Sequence, residues 1–225
     1  MIIVTGASKG LGRVICERLI SKNFEVLGIA RNPENLPFPS VRCDVSSYDD
    51  LKAVVQNLKR DKVRLDGLIN AAGIASMNLA VTTPKNVSEN IINTNLLGTI
   101  YSCQLFAPVM LRNKAGSIIN FSTIAVALGL KGESIYAASK AGVEGFSRAF
   151  AREMADFNIK VNCIAPGPIN TSLLKGITSK QIENIVAQQV IQKQFNPETV
   201  ADLVEVLLDE KSHSLSGQVL HVGGV

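Results

Sequence analysis

Short runs of branched aliphatic residues alternate along the chain with longer stretches in which apolar positions recur every three or four residues. IIVT is followed by a helical pattern from Leu11 to Ser21, and FEVLGIA reads as a second strand. RNPENLPFPS then carries three prolines and is too broken for a helix, so a loop leads to a short third strand near Val41 to Cys43. Helix Tyr48 to Leu58 and strand DGLINAAG come next. Helical patterns cover Val87 to Leu111 and Ser134 to Asp156, with SIINFST between them and IKVNCIAP after them as strands. A polar region from Thr171 to Gln194 precedes helix Pro197 to Leu208, and QVLHV reads as the last strand. Strand and helix in alternation predict an α/β fold: a doubly wound parallel sheet with helices on both faces, a single domain over residues 1–225. In such folds ligands bind outside the carboxyl ends of the strands.

Composition narrows the function. A hydrophobic content of 46% and a charged content of 19% describe a globular chain. The net charge is +4 with no basic run, which argues against nucleic acid and leaves a mild preference for anionic ligands. MIIVTGAS enters a glycine turn too soon for a signal peptide, and no stretch approaches the roughly 20 apolar residues of a membrane span. Cys16, Cys43, Cys103 and Cys163 are far apart with no CxxC, and His213 and His221 have no ligand-like neighbours. Buried thiols in a reducing cytoplasm, and no metal site, are expected.

TGASKGLG, Thr5 to Gly12, lies between the first strand and the first helix. Gly6, Gly10 and Gly12 there permit a sharp turn, a close approach to a pyrophosphate and tight packing of helix on sheet. The helix amino terminus then offers its N–H groups to phosphates. This position makes the turn a dinucleotide site of Rossmann type. An acid near the end of the second strand would take the ribose 2′-hydroxyl of NAD, but here the sequence reads IARN. Lys9 and Arg31 suit a 2′-phosphate instead, so the expected cofactor is NADP(H). A tyrosine four residues ahead of a lysine occurs twice, as Tyr48 with Lys52 and as Tyr136 with Lys140. Either pair shares a helix face.

These residues resemble the short-chain dehydrogenase/reductase family, and the resemblance covers nearly the whole chain. TGASKGLG, with Ser8 and Leu11, is similar to the family's TGxxxGxG turn. CDV puts Asp44 and Val45 at the adenine position. NAAG, which is Asn70, Ala71, Ala72 and Gly73, is similar to the segment that shapes the cofactor site. NTNLLG supplies Asn95 at the family's catalytic asparagine, and YAASK supplies Tyr136 and Lys140. APGPINT places Pro166, Gly167, Ile169 and Thr171 beside the nicotinamide. The family's serine precedes its tyrosine by thirteen residues, and 136 − 13 = 123, which is Thr123. Tyr48 with Lys52 then reads as a solvated helix face.

The resemblance implies a reductase in which Tyr136 is the general acid, Lys140 lowers its pKa and holds the nicotinamide ribose, Asn95 anchors a water and Thr123 polarises a ketone oxygen. Among family members the similarity runs to 3-oxoacyl-acyl-carrier-protein reductases, seen in NTNLLGTI, YAASKAGVEGF and SGQVLHV. The chain departs from them in three places. Ser117 and Phe157 stand where basic residues hold the carrier protein, the proline loop replaces a helix, and the carboxyl-end motif reads VGGV. The expected substrate is a small keto compound, with a 3-oxoacyl thioester as the favoured class; the alternatives are another ketone, or a non-catalytic member kept for cofactor sensing or assembly. Residues 172–195, with Leu173, Leu174, Ile177 and Ile185, form the expected substrate lid. The apolar content of the two long helical segments predicts a homo-oligomer, a tetramer.

Overall fold

The computed structural model of the protein describes residues 1–171 and 177–225. Seven strands form one parallel sheet: β1 (Ile2–Thr5), β2 (Val26–Ala30), β3 (Ser40–Arg42), β4 (Gly67–Asn70), β5 (Gly116–Phe121), β6 (Ile159–Pro166) and β7 (Val219–Val222), in the order β3-β2-β1-β4-β5-β6-β7. The helices are α1 (Gly10–Ser21), α2 (Tyr48–Arg60), α3 (Lys85–Ile92), α4 (Gly98–Met110), α5 (Ala125–Leu128), α6 (Ser134–Ala155), α7 (Ser179–Val186) and α8 (Pro197–Leu208). Central strands with both faces covered are mostly apolar in a near-continuous run, and the side-chain period of two then divides them between two cores. Ile3, Leu68, Ile118 and Val161 face the layer of α2, α4 and α6. Their neighbours Ile2, Val4, Ile69 and Ile119 face the layer of α1 and α8. β1 pairs with β2 on one side and β4 on the other, so strand order reverses at the tip of β1. A crevice opens there.

Three expectations need correction. The segment read as one helix from Val87 begins at Lys85 and is interrupted by a wide π turn over Asn93–Leu97, which holds Asn95. The wide turn spans only five residues between two regular helices, too few for hydrophobic spacing to reveal it. DGLINAAG is a strand only over Gly67–Asn70, and the chain beyond it bends along the crevice. Within the polar region the structure adds α7, whose capping box pairs Thr178 with Gln181. The proline loop is present as expected. Arg31 to Pro39 make no helix, and Phe38, 7% exposed, packs on the core in its place, against Gly28.

Candidate active site

One end of the crevice is built by the turn after β1. Gly6 (φ 71°) and Gly10 (φ 57°) have left-handed backbones. A Cβ at Gly6 would lie 2.7 Å from Ala72 Cα, and one at Gly12 would lie 2.5 Å from the Gly6 carbonyl oxygen. The turn therefore sits directly on Ala71 and Ala72, where the Ala72 N–H donates to Thr5 Oγ1 at 3.1 Å. Helix α1 starts at this point with no capping side chain and no acid in its first turn. Its free N–H groups and the positive end of its dipole face a cavity of about 540 Å³, which Ser8, Lys9 and Leu11 also line. Ala30, Arg31, Asn32, Cys43, Asp44 and Val45 continue the wall. Among the described residues neither Lys9 nor Arg31 has an acidic partner, and no acid ends β2. The Asp44 carboxylate accepts from Ser46 N–H at 2.9 Å and Ser46 Oγ at 2.7 Å, which ties it to the turn into α2.

At the other end β5, α5 and α6 converge. Lys140 is 5% exposed, and its Nζ donates to the Phe121 carbonyl oxygen at 2.9 Å. Burial pushes its ammonium down from 10.5 to about 8. Tyr136 lies one helical turn before it on the same face, buried, and near enough to the Thr123 hydroxyl for its phenol to be influenced by it. Burial, and after it the Glu133 carboxylate, raise the phenol's pKa above its ordinary value, against the lowering effect of Thr123. This differs from the expected effect of Lys140, whose charge is directed at the Phe121 carbonyl. Thr123 Oγ1 also accepts from Ala125 N–H at 3.2 Å, at the start of α5. Ser122, one residue away, is turned elsewhere and donates to Glu144 Oε1 at 2.7 Å. Both residues stand just past the end of β5.

The structure brings nearly all the expected site residues to this one cavity: the three glycines, Ser8, Lys9, Leu11, Arg31, Asp44, Val45, Ala71, Ala72, Gly73, Thr123, Tyr136, Lys140, Pro166, Gly167, Ile169 and Thr171. Two stand behind its wall. Asn70 Nδ2 donates to Asn120 Oδ1 at 2.8 Å, inside a buried network that Asn120 extends to Ser147. Asn95, fully buried, holds the Ile74 backbone at both ends: Ile74 N–H donates to its Oδ1 at 2.8 Å and its Nδ2 donates to Ile74 O at 2.9 Å. Its side chain thus shapes the loop beside Gly73. Tyr48, 43% exposed, packs edge-on against Tyr101 and lines no part of the cavity.

Ile177 and Ile185 of the expected lid line the cavity, while Leu173 and Leu174 lie outside the described residues. Glu133 also lines it and was not anticipated. A glutamate at a helix amino terminus reads as a cap, and only its i, i+3 spacing to Tyr136 hints otherwise. All four cysteines are buried, and their thiols are pushed up to about 12, chiefly by burial. Among the described residues no helix is long and apolar enough to cross a membrane, and no group of three His, Cys, Asp or Glu side chains could hold a metal.

A sheet whose order reverses beside an uncapped helix amino terminus, with a cleft continuing to a Tyr–Lys face, defines a nucleotide-binding α/β protein of the doubly wound class. Residues 6–224 match the family described as "Enoyl-(Acyl carrier protein) reductase". The chain is 31% identical to the 3-oxoacyl-acyl-carrier-protein reductase FabG of Staphylococcus aureus, over 99% of this chain and 96% of that one. It is 32% identical to carbonyl reductase family member 4 of Xenopus laevis, over 98% and 95%. The solved structure of ElxO with NADP bound superposes with a TM-score of 0.88 at 27% identity, covering 98% of this chain and 96% of that chain. The chain belongs to the short-chain dehydrogenase/reductase family of oxidoreductases.

Proposed function

We propose that this protein is an NADPH-dependent carbonyl reductase whose favoured substrates are 3-oxoacyl thioesters. The observation that carries the reading is the placing of Tyr136, Thr123 and Lys140 along a cavity whose other end is an uncapped helix beside Lys9 and Arg31, two cations with no acidic partner among the described residues. The residues fit a phosphorylated dinucleotide. Gly6 and Gly12 form a cradle that any Cβ would fill, α1 presents bare N–H groups to a pyrophosphate, and Lys9 and Arg31 suit a 2′-phosphate. When bound, the reduced nicotinamide supplies a hydride to the carbonyl carbon. Tyr136 transfers its phenolic proton to the carbonyl oxygen and regains one from solvent, so that the carbonyl becomes a hydroxyl. The Thr123 hydroxyl donates to that oxygen as negative charge develops on it. Asn95 acts through the Ile74 loop as a positioning residue for Gly73 and the cleft wall.

The FabG and carbonyl reductase relatives support the thioester and carbonyl class. We further infer a cytoplasmic homotetramer. Ser117 cannot hold a carrier protein, because it is buried within β5 and donates to the Leu207 carbonyl at 3.0 Å. The substrate side of the proposal therefore rests on the thioester and not on a carrier-protein contact. NADPH oxidation followed with acetoacetyl thioesters and simple ketones tests the activity. NADPH should be preferred to NADH by about tenfold or more, the effect of a single charge-assisted contact. Arg31→Asp should erase that preference. Equal use of both cofactors by the unmutated protein would overturn the cofactor assignment.

A further inference from the structure

Glu133 is placed unusually for a residue at the head of a helix. It occupies the cap position of α6, yet its side chain caps nothing, and only its backbone carbonyl serves the helix by accepting from Ala137 N–H. Glu133 instead lines the cavity, and among the described residues its carboxylate makes no hydrogen bond and no ion pair. Ile124, Leu130, Ile177 and Ile185 line the same cavity, together with the polar Thr123 and Tyr136. Among the described residues no cation is paired with it: Lys140 is held by the Phe121 carbonyl, and Lys131 is exposed. It is close enough to Tyr136 for its charge to be felt at the phenol, and burial raises its own pKa. A half-desolvated carboxylate without a partner gains most from an incoming donor, and more from a charged one than a neutral one.

We propose that Glu133 selects carbonyl substrates that bear a hydrogen-bond donor near the reacting carbonyl, an ammonium in preference to a hydroxyl, and rejects those bearing a carboxylate. Positions i and i+3 of a helix set Cβ atoms about 5–6 Å apart, so the donor belongs within a few bonds of the carbonyl that Tyr136 protonates. The inference rests on the carbonyl-reductase reading and narrows it, whether or not the substrate is thioester-borne.

The test is ligand binding, read by saturation-transfer NMR titration of the protein with NADP⁺ present at pH 7. Three alcohols of similar size serve as probes: 1-amino-2-propanol, 2-butanol and lactate. The amino alcohol should bind about tenfold more tightly than 2-butanol, and lactate should be weakest. Glu133→Gln should remove the preference for the amino alcohol, and Glu133→Lys should move it to lactate. No preference in the unmutated protein, or a preference that survives Glu133→Gln, overturns the proposal. NADPH oxidation with plain ketones is scored separately. Turnover without the binding preference sinks this inference alone, and the preference without turnover of any carbonyl sinks the reductase reading alone.

Discussion

Thr123 and Ser122 are adjacent in the chain but have different partners, and the difference follows from where β5 stops. Strand alternation predicts opposite orientations, but both residues lie beyond the strand, and it is the turn into α5 that directs Thr123 to Tyr136 and Ser122 to Glu144. Thr123→Ala should lower turnover by about 10²–10³, the usual effect of losing an oxyanion-type donor, while Thr123→Ser retains most activity. Ser122→Ala should affect turnover less, and steady-state kinetics on the three variants would expose a register error of one residue. Lys140 gives a second expectation. Its folded pKa of about 8 lies below the ordinary 10.5, so the unfolded chain holds the proton more tightly. The cost of burying that charge is present in full below pH 8, falls away between the two values and is gone above them. That shift is on the order of 3 kcal/mol, from about 1.36 kcal/mol per unit. Lys140→Met should therefore raise the melting temperature by several degrees at pH 7, with the gain shrinking toward pH 10, while activity is lost. Thermal scans across that range would refute the idea if the gain were independent of pH. The types and spacing of both residues were legible in the sequence. Their hydrogen bonds, and the dominance of burial over the Lys140 charge at Tyr136, depend on packing that no local pattern encodes.

Elements whose period is set by burial were readable in advance. IKVNCIAP is β6 from end to end, because both of its faces are covered and all of it but Lys160 and Asn162 is apolar. The π turn at Asn93–Leu97 and helix α7 were not readable, the first because it spans only five residues between two regular helices, the second because few of its residues face the interior. The contact of α1 with the glycine turn allows a direct check. Any side chain at Gly12 meets the Gly6 backbone, which cannot swing aside as a flexible side chain would. Gly12→Ala must then push α1 away from the strand tip and carry its N–H groups with it. Titration by NADPH fluorescence should show affinity reduced by about tenfold or more, equivalent to about 1.4 kcal/mol. Unchanged affinity would mean that the helix terminus does not contact the phosphates.

At the scale of the molecule, α6 buries Val143, Ser147, Phe150 and Ala151 but leaves Ala138, Ala141, Gly145 and Ala149 facing outward, a smooth strip of small residues. Small residues let a second helix approach closely, which supports the expected homotetramer. A Cβ at Gly145 meets nothing within 4 Å in the monomer, so Gly145→Arg should leave the fold intact. Light scattering at micromolar concentration should give a tetramer for the unmutated chain and a smaller mass for Gly145→Arg, and a monomer in both cases would dismiss the assembly. The short β2–β3 connection has a different kind of consequence. Because Arg31 to Pro39 cross over without a helix, β1, α1, β2 and β3 all lie within residues 1–42 and pair over small sequence separations, whereas β1 meets β4 only across some sixty residues. Contacts close in sequence close their loops fastest, and chains fold as they are synthesised. The phosphate-facing turn and the strands that frame it can thus assemble on the ribosome, before the tyrosine and lysine that complete the cleft have been translated.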